Sequence, residues 1–134
     1  MPAMPKITAQ ARSYPTEDRE KVRQSLLAIF PGSEVEETEK GLTAITMSGD
    51  KLRQIILDTH IRDSARSVML RGRDGSSTKF RLNKQAALMG KVSFLEGGAA
   101  LGGIDVTVED DDIDGAIDFL AESTLDGRGS EDEE

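Results

Sequence analysis

Two short stretches alternate apolar and polar residues without interruption, and they constrain the fold more than any other feature of the chain. In residues 78–83 (TKFRLN), Phe80 and Leu82 point one way while Lys79, Arg81 and Asn83 point the other. In residues 104–108 (IDVTV), Ile104, Val106 and Val108 share a side. A period of two belongs to the β-strand, and one apolar side per strand builds a sheet buried on a single face. Helices must then cover that face.

Helical stripes of the right kind are present. Pro15-Thr16-Glu17-Asp18 opens one helix, with Thr16 as the expected N-cap and two acids where the helix dipole favours negative charge. Val22, Leu26, Ile29 and Phe30 follow on one helical face, and Pro31-Gly32 ends it. Ser48 or Asp50 caps a second region carrying Leu52, Ile55 and Ile56, and Ile61, Ala65, Val68 and Met69 continue the helical spacing. Either one long helix bends near residues 59–63 or two helices meet there, with Asp63 near a cap. Asn83 is the expected N-cap of a short helix over 84–89, with Gly90 as its stop. Asp110-Asp111-Asp112 leads into a last helix bearing Ile113, Ile117 and Leu120.

The remaining segments read as strands and turns. Residues 6–13 (KITAQARS) place Ile7, Ala9 and Ala11 on one side. Residues 34–39 and 42–47 are two strands joined around Lys40-Gly41. Residues 73–77 (RDGSS) are a turn or loop, 92–95 a strand, and 97–103 (GGAALGG) a connector. The expected order is β-α-β-β-α(α)-β-(α)-β-β-α. This is an α+β fold, a mostly antiparallel sheet with helices on one face. Residues 1–126 are expected to form a single domain and 127–134 (GRGSEDEE) an acidic, disordered tail.

Charge is divided sharply along the chain, which has a net charge of −8. Residues 48–95 hold ten Lys/Arg against four Asp/Glu, and residues 96–134 hold one Arg against fourteen acids. A locally positive surface on an acidic protein is a natural landing place for phosphate. Arg62, Arg66 and Arg73 are four and eleven residues apart, so they share an angular position if the helix persists. That position is offset from the apolar stripe and is expected to be exposed. Lys79 and Arg81 share the strand side opposite Phe80, and Lys84 follows. Ser77, Asn83 and Gln85 add neutral donors for sugar hydroxyls. One exposed cationic platform, suited to structured RNA, is the expectation. Four Phe and one Tyr are too few for a single-strand stacking platform.

The acid excess has two readings. One is an ordinary acidic surface with a solvated tail. The other is adaptation to a salt-rich cytoplasm, as in a halophile, which ten Arg, seven Lys and 25 acids also fit. In molar salt the counterion-release term is small, and shape and 2′-hydroxyl contacts must carry binding.

Other chemistry lacks support. There is no Cys, hence no disulfide, thiolate metal site or cysteine nucleophile. The glycine-rich segment lacks the Lys-Ser/Thr of a phosphate loop. The Asp110–Asp112 run lacks EF-hand spacing and reads as capping. His60 is the only histidine, with no Ser or Cys motif to serve. No enzyme, metal or cofactor is expected. No apolar stretch approaches a membrane span, and the N-terminus lacks a signal-peptide core, so a soluble cytoplasmic protein is expected.

Three segments carry a resemblance: 14–22 (YPTEDREKV), 52–66 with Ile61-Arg62-Asp63-Ser64-Ala65-Arg66, and 80–90 (FRLNKQAALMG), with the closing 123–127 (STLDG). Together they resemble an archaeal family, uncharacterised protein family 0201, over residues 6–125. The resemblance implies a fold like that of the ribosomal protein that binds 5S ribosomal RNA, and an RNA-binding role without catalysis. A competing expectation is an interaction module that docks an acidic protein partner within a nucleic-acid-processing complex. A third is a nucleotide-binding protein. No oligomeric state follows.

Overall fold

The computed structural model describes residues 5–95 and 103–121. Strands β1 (Lys6–Arg12), β2 (Glu34–Glu37), β3 (Gly41–Thr46), β4 (Arg73–Asp74), β5 (Ser77–Asn83) and β6 (Gly103–Glu109) form one sheet in the order β2-β3-β1-β6-β5-β4. Every pairing is antiparallel. Five helices complete the α+β architecture: α1 (Arg19–Ile29), α2 (Asp50–Asp58), α3 (Arg62–Arg71), α4 (Lys84–Leu88) and α5 (Ile113–Leu120). None is long and apolar enough to cross a membrane.

Alternation sorts the sheet as expected. Ile7, Ala9, Ala11, Leu42, Ala44, Phe80, Leu82, Ile104, Val106 and Val108 are buried on the inner face. They join one apolar cluster with Val22, Leu26 and Ile29 of α1, Leu52 and Ile56 of α2, Met69 of α3 and Ile117 and Leu120 of α5. Helix α1 lies over β1 and β3, α3 lies over β5, and α2 and α3 both pack on α5. Burying each of these large aliphatic side chains contributes roughly 1.5–3 kcal/mol, which holds the helices to one face.

Local details differ from expectation for physical reasons. Asp18, not Thr16, caps α1, accepting a hydrogen bond from the Glu20 amide at 2.9 Å. Neither Ser48 nor Asp50 is the N-cap of α2. Gly49 is, and a Cβ there would lie 2.6 Å from Leu120 and 3.2 Å from Ile7, so close packing leaves no room for a capping side chain. Residues 92–95 form only a single bridge, Phe94 with Leu82, rather than a strand. They flank β5 beyond the end of β4, a two-residue strand that pairs Arg73 with Thr78 across a turn at Gly75 (φ 63°). Asn83 does cap α4, accepting from the Ala86 amide at 2.9 Å. Asp112 caps α5, accepting from Gly115 at 3.0 Å. The connector at 97–102 and the tail at 127–134 lie outside the described residues.

The second helical region is two helices. His60 adopts φ 59°, and the Ile61 amide donates to Ile56 O at 3.2 Å while the His60 amide donates to Leu57 O at 3.2 Å. This is a Schellman ending with histidine where glycine is usual. An exposed non-glycine residue in the left-handed region carries strain. His60→Gly is therefore expected to stabilise the protein by about 0.5–1 kcal/mol. Thermal melting should show a rise of about 2–4 °C, and a fall would mean that the imidazole makes a needed contact.

Candidate nucleic-acid interface

The same alternation that fills the core sends a second set of side chains to the outer face of the sheet. Lys6, Thr8, Gln10 and Arg12 of β1, Thr43 and Ile45 of β3, Ser77, Lys79, Arg81 and Asn83 of β5, and Asp105, Thr107 and Glu109 of β6 are all exposed or half-buried there. Register aligns them in rows. Thr43, Gln10, Asp105 and Arg81 stand side by side across four strands. Ile45, Thr8, Thr107 and Lys79 form the next row. The face is polar and hydroxyl-rich, and its outward strand positions carry no aromatic residue.

At one end the face is concave. Arg12 lies in register with Gly41, and Gly103 sits one residue beyond the Ala11–Ile104 pair. The two glycines leave a depression of about 530 Å³, bordered by Gln10, Arg12, Tyr14, Thr38, Lys40, Thr43, Arg81 and Asp105.

The cations named from sequence divide between two faces, so the single expected platform does not form. Lys79 is exposed on the outer face. Arg81 lies beside it and donates from Nε to Asp105 Oδ1 at 2.7 Å. Asn83 is on this side but its Oδ1 is engaged as the α4 cap. Ser77 Oγ donates to Asp74 O at 3.1 Å. Arg62 and Arg66 lie on α3, and Arg73, on β4, turns to the helical side. Arg66 pairs with Asp118 and also donates to Ala121 O at 3.2 Å, and Arg73 pairs with Asp114. Arg62 is half-buried, and Gln85 is exposed on α4.

The cause of this division is spatial. Strand β6 and helix α5, from the acidic end of the chain, lie against the basic middle, so Asp105, Asp114 and Asp118 serve as its counter-charges. Arg19 and Arg23 likewise share Glu37, and the Arg23 guanidinium holds that carboxyl below its ordinary range.

Lys84, expected among the exposed cations, is buried. Its Nζ donates to Arg12 O at 2.7 Å and to both Glu17 oxygens at 3.0 Å, and it lies 5.6 Å from the centre of the Tyr14 ring. Desolvation pushes the Glu17 carboxyl up, but the Tyr14 amide and the Lys84 ammonium outweigh it and hold the group below 4.5. Lys84 thus ties α4 to the end of β1, with its ammonium committed to Glu17 and the Arg12 carbonyl.

Lys6, Gln10, Arg12 and Lys40, on or beside the outer face, lie outside the basic middle of the sequence. The first three occupy the polar half of the β1 alternation, a signal already present in KITAQAR. Among the described residues Arg12, Lys40 and Lys79 have no carboxylate partner. No cluster of three or more His, Asp or Glu among the described residues is arranged to hold a metal ion.

Residues 6–109 match a family model described as RNA binding. A UPF0201 protein of Methanothermobacter thermautotrophicus is 40% identical over 121 residues, covering 88% of this chain and 92% of its own length. A UPF0200/UPF0201 protein of Archaeoglobus fulgidus is 34% identical over 125 residues; the match covers 91% of this chain but 39% of that longer one. The crystal structure of an uncharacterized UPF0201 protein superimposes with a TM-score of 0.83 at 33% identity, covering 91% of this chain and 97% of that one.

Proposed function

The chain belongs to the UPF0201 family, and on that premise we propose that it is a non-enzymatic RNA-binding protein that works through the open face of its sheet. It contacts phosphates and 2′-hydroxyls of structured RNA there. One observation carries the choice of face: Arg12, Lys40 and Lys79 are uncommitted on it among the described residues, with Arg81 alone engaged there by Asp105, whereas on the helical side Arg66 and Arg73 are engaged by Asp118 and Asp114 and Arg62 alone of the three named arginines is not. Arginine forks and lysine ammonium groups suit phosphate oxygens. Thr8, Gln10, Thr43 and Thr107 suit sugar hydroxyls. The lack of aromatic residues at the outward strand positions fits a folded RNA better than an unstacked strand. A likeness to the 5S-rRNA-binding ribosomal protein and life in a salt-rich cytoplasm belong to the same proposal. In such salt the hydroxyl contacts outweigh the ionic ones.

Two carboxylate replacements test the face. Asp105→Asn removes a negative charge from the middle of the outer row and loosens Arg81. RNA affinity at low salt is expected to rise about three- to fivefold, with the salt slope steeper by about 0.7–0.9. Asp114→Asn with Asp118→Asn frees Arg73 and Arg66 on the other side and is expected to change neither. The opposite pattern would move the interface to the helices.

A second reading, docking of an acidic protein on this same face, draws on the longer Archaeoglobus fulgidus relative, in which a matching unit is joined to further sequence. Capture from lysate with and without nuclease separates the two readings. A protein partner that survives nuclease favours the second.

A further inference from the structure

We infer that the glycine-floored depression on the outer face is a seat for one phosphate ester and its adjoining ribose, with Arg12 and Lys40 as its anion-binding groups. This rests on the RNA-binding reading and names where on the face a single nucleotide is gripped.

The two floor glycines differ in kind. Gly41 is required by the fold, because a Cβ there would strike the Ala11 carbonyl on the neighbouring strand. At Gly103 the obstacle is a side chain: a Cβ there would lie 2.8 Å from Cδ and 3.1 Å from Cγ of Arg81, which would have to shift to admit it. A glycine in a strand is one mark of a place where another group approaches the backbone closely, alongside bulges and bends.

The cations beside it are anchored from below. The Arg12 carbonyl accepts from buried Lys84 Nζ at 2.7 Å, and the Lys40 carbonyl accepts from the Ser13 amide at 2.9 Å. Both backbones are fixed while the charged ends lie free of carboxylates among the described residues. A preorganised pair of this kind loses little freedom on taking an anion. Gln10 and Thr43 stand next to each other in register, within reach of sugar hydroxyls in the same depression.

The test compares Gly103→Val and Arg12→Gln with the unaltered protein. Binding is read by fluorescence anisotropy against a stem-loop RNA and its DNA counterpart, and by thermal shift with a nucleoside 5′-monophosphate. Valine at 103 fills the depression and displaces the Arg81 side chain without changing net charge, and it suits a strand; Arg12→Gln leaves Arg81 in place. Each variant is expected to bind the RNA about tenfold more weakly, the loss of one charge-assisted phosphate contact. The melting temperature of Arg12→Gln is expected to be unchanged, which keeps the test valid should Gly103→Val fold poorly. If the protein binds RNA and both variants bind it equally well, the seat is wrong and the RNA reading stands. If RNA does not bind but the monophosphate does, and the variants lose it, the seat holds a free nucleotide and the RNA reading falls. If neither ligand binds, both fall.

Discussion

Lys84→Ala is expected to destabilise the protein by about 2–4 kcal/mol. The Lys84 side chain is only 7% exposed and that of Glu17 29%. Removing the ammonium strands a partly buried carboxylate and takes a donor from the Arg12 carbonyl. A fully buried pair would cost about 3–5 kcal/mol to break, and the residual solvation of Glu17 lowers that figure. In a domain of this size the melting temperature should fall by roughly 6–12 °C. The acid limb supplies a second reading. Glu17 is held below 4.5 in the folded state, so its stabilisation is present above that pH and is lost as the pH falls through the folded value. Lys84→Ala should flatten this acid dependence. A variant that melts normally but loses RNA would return Lys84 to the surface role its charge alone implies.

Lys84 also shows what the sequence holds and what it hides. This lysine is the first residue of α4, directly after the β5 strand and its Asn83 cap, and it is buried against the Arg12 carbonyl and Glu17. Its charge masks that burial. The sheet itself was readable, because a two-residue period needs no knowledge of distant partners. The break between α2 and α3 was not, since a histidine occupies the left-handed position that glycine usually advertises. The fate of the basic residues lay further from reach. Arg66 and Asp118 are 52 residues apart, Arg73 and Asp114 41, and Arg81 and Asp105 24. Pattern along the chain fixes which side of its own element a residue occupies. It does not say which other element arrives there, so a charge-rich middle and an acid-rich end could be counted but not paired. The outward half of β1 was readable by the same period-two rule that placed Ile7, Ala9 and Ala11, yet Arg12 and Lys6 stand outside the charge cluster that draws the eye.

Reversing Arg12 and Lys79 together to glutamate is expected to weaken RNA binding by about a hundredfold at low salt, through two lost phosphate contacts and two new repulsions. Neither side chain has an ion-pair partner among the described residues. Stability should therefore stay within about 0.5 kcal/mol of the starting value. The helical side gives the contrasting experiment. Arg66→Glu with Arg73→Glu sets new carboxylates beside Asp118 and Asp114 and breaks the Arg66 bond to Ala121 O. These pairs are largely solvated, and each replacement is expected to cost about 1 kcal/mol or less, without loss of RNA. The two double variants change net charge equally, so a general repulsion between an acidic protein and a polyanion would weaken both to the same degree. Only a localised outer face separates them. The separation should shrink as salt rises, because a Debye length of about 3 Å at molar salt removes all but direct contacts. Equal losses at low salt would leave net charge, not the open sheet, as the determinant of binding.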